Sequence, residues 1–282
     1  MPMRPEEVLG LNAHGFHRIR YTEWGDRANP RVLICVHGLT RNGRDFDALA
    51  ETLEPDYRVL CPDVVGRGAS DWLTDKSAYH YPQYLADMAV LIARSGARQL
   101  DWIGTSMGGL LGMLLAAQPQ TPIRRLVIND VGPFIPRAAL ERIAAYVGQP
   151  VSFDSLEALE AELRSVAAPF GPLTDAQWRH LAAHGARRRE DGRYVFNYDP
   201  GIAQAFGDAL EDIDLWAVWE RIECPVLVLR GAESDLLRHE DALAMTRRGP
   251  SAELVEFPGI GHAPVLMTSE QIEPIRRWLL TE

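Results

Sequence analysis

A serine hydroxyl, an imidazole and a carboxylate form a nucleophilic relay when a fold brings them together, and this chain of 282 residues carries candidates for all three. Gly104-Thr105-Ser106-Met107-Gly108 separates a short apolar run at 100–103 from a longer one at 110–117. That spacing predicts a serine on a sharp turn from a buried strand into a helix. The chemistry asks for such a turn. It exposes the hydroxyl, the small residues on either side let neighbouring backbone come close, and the helix N-terminus favours negative charge as it develops. Serine is a weak nucleophile at neutral pH, so it needs a base, usually histidine, and the histidine needs an acid that fixes its tautomer.

Of eight histidines, context singles out His262. It lies in Pro258-Gly259-Ile260-Gly261-His262-Ala263-Pro264, a glycine-rich loop directly after the last predicted strand. Such a loop can carry an imidazole to the sheet edge from which Ser106 emerges. Asp235 is the first choice for the acid, because the strand at 226–229 runs into Arg230-Gly231-Ala232-Glu233-Ser234-Asp235. It has two rivals. Asp130 follows the preceding strand in Ile128-Asn129-Asp130-Val131, and Glu233 is two residues away but is expected to point elsewhere. A tetrahedral oxyanion needs two preorganised N–H donors. Met107, next after the serine, is one; Leu39 in His37-Gly38-Leu39-Thr40 is the other, with Gly38 letting the backbone turn beneath a substrate. His37, at the start of that turn, reads as a structural hydrogen-bonding residue and not as the base.

Short strand-like runs alternate with helical ones, the signature of a mostly parallel sheet covered by helices on both faces. Strands are predicted at 17–24, antiparallel to the rest, and at 31–36, 57–61, 99–103, 125–128, 225–229 and 253–257. Helices are predicted at 45–52, 81–94, 107–117, 240–247 and 269–280. From 133 to 221 the rhythm breaks. Amphipathic helices are predicted there at 136–146, 155–166 and 174–188, with Asp154 and Thr174 as N-caps of the last two. So long a stretch is not a simple loop. It predicts a helical cap, 133–221, inserted into a core made of 1–132 and 222–282.

Composition is that of an ordinary globular protein, 46% hydrophobic and 24% charged. A net charge of −10 argues against nucleic acid as a partner. The only dense basic run, Arg187-Arg188-Arg189, reads as a solvated helix face. Residues 1–7 contain no apolar leader core, and no segment approaches the ~18 apolar residues of a membrane span. Cys35, Cys61 and Cys224 are odd in number, sit in or beside apolar runs and have no close Cys or His following them. They are expected to be core thiols, neither disulfides nor metal ligands, in a cytoplasmic protein.

His37-Gly38, Cys61-Pro62-Asp63-Val64-Val65-Gly66-Arg67-Gly68-Ala69-Ser70-Asp71, Gly104 to Gly109, Arg230 to Asp235 and Gly261-His262 together resemble the α/β-hydrolase superfamily. Order and spacing match over essentially the whole chain, with the insertion where that family carries its cap. The resemblance implies an α/β-hydrolase fold with a mostly parallel eight-stranded sheet, and a triad in the chain order Ser106, Asp235, His262. It also implies that 63–71 is a structural loop in which Asp63, Arg67 and Asp71 cap turns and pair with one another's charge, without a catalytic role.

The implied activity is hydrolysis of a small carboxylic ester through an acyl-enzyme, with a lactone or thioester as variants. Haloalkane dehalogenases and epoxide hydrolases of this superfamily use aspartate where this chain has Ser106. The meta-cleavage-product hydrolases, which cut carbon–carbon bonds, share Ser-Met-Gly-Gly but typically show His-Gly-x-Gly-Pro-Gly where this chain reads His37-Gly38-Leu39-Thr40-Arg41-Asn42. They are the runner-up. A charge-rich insertion speaks against an interfacial lipase, and a small-molecule receptor on the same fold is the non-enzymatic alternative. No metal or other cofactor is called for, since every step uses side chains already present. Arg41 is the candidate anchor for an acidic group on the substrate. Trp216, Trp219, Phe196 and Tyr198 either line a pocket or pack in the interior.

Overall fold

The computed structural model describes residues 3–207 and 210–281. Met1 and Pro2, which belong to the stretch inspected for a leader, and Asp208, Ala209 and Glu282 lie outside the described residues. Eight strands form one sheet: β1 (Arg4–Asn12), β2 (Gly15–Trp24), β3 (Val32–Val36), β4 (Arg58–Pro62), β5 (Leu100–Thr105), β6 (Ile123–Asn129), β7 (Val226–Gly231) and β8 (Glu253–Phe257). Their order across the sheet is β1-β2-β4-β3-β5-β6-β7-β8. β1 pairs antiparallel with β2 and β2 antiparallel with β4; every other pairing is parallel.

The central strands read as unbroken apolar runs because both faces are covered. In β3, Val32, Ile34 and Val36 enter one apolar cluster while Leu33 and Cys35 enter the other, so alternate side chains build the two halves of the core. Helices α2 (Tyr81–Ser95) and α3 (Met107–Ala116) cover the first face through Met88, Leu91 and Leu111. On the second face α1 (Asp47–Leu53) contributes Leu49 and Leu53, and α9 (Ser269–Leu280) contributes Ile272 and Ile275.

Between β6 and β7 run α4 (Arg137–Ala144), α5 (Leu156–Val166), α6 (Asp175–Gly185) and the one-turn α7 (Trp216–Trp219); α8 (His239–Met245) follows β7. Leu159, Leu163, Trp178 and Leu181 give α5 and α6 a small apolar cluster of their own. The intervening segment is less helical than its sequence suggests. Residues Ala186–Arg188 and Tyr194–Phe196 pair as an antiparallel hairpin, so Arg187 and Arg188 are exposed on a strand, with Arg187 lying 4.5 Å over the Trp72 ring. The N-cap of α5 is Ser155, whose hydroxyl accepts from Ala158 N, one residue beyond the expected Asp154. Thr174 does cap α6, in a reciprocal box with Gln177.

Candidate active site

Ser106 sits between β5 and α3, as the N-cap of α3, with φ 52° and ψ −114°, a positive-φ conformation that a serine adopts only under constraint. The glycines allow it. A Cβ on Gly104 would lie 2.1 Å from the Gly108 carbonyl oxygen, and one on Gly108 would lie 2.0 Å from that of Val36. Side chains at either place would push the turn apart. Ser106 N donates to Asn129 O at 2.9 Å, and the Asn129 amide donates to Thr105 Oγ1 at 3.0 Å and to Pro264 O at 2.7 Å. Asn129 thus ties the serine turn to the loop that carries His262.

His262 reaches Ser106 as expected, with Nε2 3.0 Å from Ser106 Oγ. Its Nδ1 does not meet Asp235. It lies 2.7 Å from Oδ2 of Asp130. Asp130 is fully buried just past β6, and its carboxylate is held by three donors: His262 Nδ1–H, Ser234 Oγ–H at 2.6 Å on the same oxygen, and Gly231 N–H at 2.8 Å on Oδ1. A carboxylate acceptor on Nδ1 keeps that proton in place and turns the Nε2 lone pair toward the serine. Asp235 points the other way. More than half exposed, it is gripped by Arg142 of α4 through Nε at 2.5 Å and Nη2 at 3.0 Å. The turn after β7 decides this. Arg230 donates to the carbonyls of Leu237 and Ala232, and that curl tucks Ser234 inward and leaves Glu233 and Asp235 in solvent.

Gly38 stands beside the serine, since a Cβ placed there would be 3.7 Å from that of Ser106. His37 holds this loop. Its Nδ1–H donates to Gly38 O at 2.7 Å and its Nε2 accepts from Val64 N at 2.9 Å. Burial, aided by the Arg67 charge, pushes its pKa down to about 4, so His37 is neutral and its acceptor nitrogen is available to Val64. Gly38 O also accepts from Arg41 N at 3.1 Å. With the carbonyl of the 38–39 peptide held on one side, the Leu39 N–H faces the other. Met107 N–H is the first amide of α3 and has no partner within its helix. Met107 directly follows Ser106 in the chain, and Gly38, which precedes Leu39, stands beside it.

Arg41 is engaged elsewhere. Its Nε and Nη2 donate to the two oxygens of Asp45 at 2.8 and 2.6 Å, a bidentate pair that offsets its charge. Asp63 accepts from Gly43 N and Ala69 N, and Asp71 accepts from Arg18 N, so both brace turns as expected. Neither pairs with Arg67, which is fully buried among neutral groups. Trp219 is buried with its Nε1–H on Arg248 O, Trp216 lies under the Arg248 guanidinium, and Phe196 stacks on Tyr198. Cys35 and Cys61 are buried free thiols. Among the described residues, Asp47, His180 and His184 bring metal-ligating atoms within 4.8 Å of one another, but Arg44 already holds Asp47 and reaches His184 Nδ1 at 3.5 Å. Among those residues no helix is long and apolar enough to cross a membrane.

The family profile of the α/β-hydrolase fold matches residues 31–266. A curated relative, the 3-hydroxybutyrate-oligomer hydrolase of Cupriavidus necator, is 50% identical over 274 residues, covering 94% of each chain. An esterase of Mycobacterium tuberculosis is 29% identical over 86% of this chain and 78% of its own. Among solved structures, a hydrolase from Rickettsia typhi superposes with a TM-score of 0.92 at 33% identity over 99% of both chains. An α/β hydrolase from Novosphingobium aromaticivorans gives 0.87 at 40% identity over 98% of both. Together with the eight-stranded sheet and the serine turn, these matches show that the chain belongs to the α/β-hydrolase family.

Proposed function

We propose that this protein is a serine hydrolase that cleaves ester bonds in short oligomers of a hydroxy acid such as 3-hydroxybutyrate. The observation that carries the chemistry is the unbroken chain Ser106 Oγ, His262, Asp130, at 3.0 and 2.7 Å. The substrate class is supported by the 50% identity, over nearly the full length of both chains, to the Cupriavidus necator hydrolase.

His262 takes the Ser106 proton as Oγ attacks the ester carbonyl, and Asp130 steadies the imidazolium that results. The N–H groups of Leu39 and Met107 receive the oxyanion. Collapse breaks the bond to the alkoxy oxygen, which leaves as an alcohol with the proton from His262. Water, deprotonated by the same nitrogen, then releases the acyl group from Ser106 as a carboxylic acid. Segment 133–221 acts in this reading as the cap. It approaches the site directly, with Pro169 O accepting from Gly261 N beside His262 and Asn42 of the oxyanion loop donating to His184 O.

The test is release of free 3-hydroxybutyrate from its purified dimer and trimer by the wild type and by Ser106→Ala, with p-nitrophenyl butyrate in parallel. Turnover of the oligomers that drops at least 10³-fold in the variant supports the reading. Turnover of the nitrophenyl ester alone keeps the serine esterase and removes the oligomer. Stoichiometric binding without turnover of either would make the protein a receptor.

A further inference from the structure

Arg67 is the largest charged side chain with no exposure at all, and among the described residues no carboxylate pairs with it. Burying a guanidinium without a counter-charge is costly unless its hydrogen bonds are satisfied. Its donors are spent on specific atoms. Nε–H donates to Leu39 O at 2.8 Å; Nη1–H donates to Val65 O at 2.7 Å and to Tyr84 Oη at 3.0 Å; Nη2–H faces Met107 Sδ at 3.8 Å. The rings of Tyr84 and Tyr79 flank it at 4.9 and 5.7 Å. One guanidinium therefore touches both residues to which the proposed mechanism assigns the oxyanion.

We propose that Arg67 is the positioning residue of the oxyanion hole, holding the Leu39 and Met107 donors in register and placing a positive charge behind them. The inference rests on the hydrolase reading above. Geometry supplies the first half. His37 and Arg41 N fix the peptide that carries the Leu39 N–H, Arg67 fixes the next peptide through Leu39 O, and together they leave that N–H one direction in which to point. Electrostatics supplies the second half. Aromatic walls screen a buried charge poorly, so the cation favours the negative tetrahedral state over the neutral ester. Arg67 touches neither substrate nor reacting atoms, and it acts through Leu39 and Met107. The sequence reading of this arginine as a turn-bracing partner of Asp63 or Asp71 missed the role, because nothing in Gly66-Arg67-Gly68 reveals that the side chain turns inward.

The test compares Arg67→Met and Arg67→Lys with the wild type by kcat and KM on an ester, and by affinity for an alkylboronic acid, which adds to the serine and places an anionic oxygen in the hole. Arg67→Met is expected to lose 10²- to 10³-fold in kcat with KM changed less than about threefold, as for removal of an oxyanion donor. Boronate affinity should fall in parallel. Arg67→Lys, which keeps the charge without the fork, should fall between the two. A folded Arg67→Met with kcat and boronate affinity within threefold of wild type would overturn the inference. So would a loss confined to KM. Should Arg67→Met fail to fold, Tyr84→Phe decides. Losing one partner of Nη1 is expected to lower kcat and boronate affinity severalfold at constant KM, and unchanged values contradict the proposal. A wild type that cleaves no ester and takes up no boronate strikes the hydrolase reading itself, a result separate from all of these.

Discussion

Ser234 donates its hydroxyl at 2.6 Å to the same oxygen of Asp130 that receives His262. The two residues are 104 positions apart and come from the ends of neighbouring parallel strands, β6 and β7. The position after β7 thus supplies a hydrogen-bond donor to the carboxylate that follows β6. Ser234 Oγ also accepts from Leu236 N and Leu237 N at 3.3 and 3.2 Å, so its orientation is fixed by the turn.

Replacing Ser234 by alanine should therefore weaken catalysis without disturbing binding. A hydrogen bond to a buried carboxylate is worth about 1.5–3 kcal/mol. The expected loss in kcat is on the order of 10- to 10²-fold, with KM unchanged. Steady-state kinetics on an ester of the Ser234→Ala protein checks this, and a loss confined to KM would contradict it.

Most of the scaffold is legible in the sequence because patterns that must be buried have to be apolar. The seven predicted strands and the core helices appear within a few residues of their expected places. The family resemblance implies an eighth strand, but the sequence pattern does not mark β1 as its place. Its inward positions fall on Val8 and Gly10 while Leu9 and Leu11 face outward, half exposed, so its alternation runs against the usual sense. The serine turn and His262 could be read because glycines mark both. The acid could not be settled, since Asp130 and Asp235 each follow a strand that ends at the same edge. Choosing between them takes the side-chain course of Arg230, Ser234 and Arg142, which no local pattern encodes.

His37 makes the loop at 37–42 sensitive to acid. Its pKa is pushed down to about 4 in the folded protein and returns to about 6.5 on unfolding. Between these values the unfolded chain binds more protons, so the contribution of His37 to stability is full above pH 6.5 and is lost as pH falls toward 4. The span corresponds to roughly 3 kcal/mol. Buried Asp63, raised to about 6 by desolvation, runs the opposite way over an overlapping range, so total stability partly hides the effect. The difference between wild type and His37→Asn isolates it. Denaturant unfolding should show a gap that is widest near pH 7 and narrows toward pH 4.5, and a gap independent of pH would contradict this account.

The three cysteines should be inert in the native state. Burial pushes the Cys61 thiol well up, with Cys35 adding to the shift, and raises Cys224 to about 11, so thiolate is scarce at pH 8. Titration with a chromogenic disulfide is expected to find almost no rapidly reacting thiol in the folded protein and three after unfolding. A fast stoichiometric reaction of the native protein would show that the segment around one of these cysteines opens readily.

The assignment of Asp130 in place of Asp235 is the central claim, and kcat/KM of Asp130→Asn beside Asp235→Asn tests it most directly. Asp130→Asn should keep the fold but offer His262 the wrong hydrogen-bond pattern, with a loss approaching 10⁴-fold, as in triads where the acid is changed to its amide. Asp235→Asn only loosens an exposed ion pair with Arg142, worth at most about 1 kcal/mol, and should remain within a few-fold of wild type. The reverse pattern, with activity surviving in Asp130→Asn and collapsing in Asp235→Asn, would contradict the account.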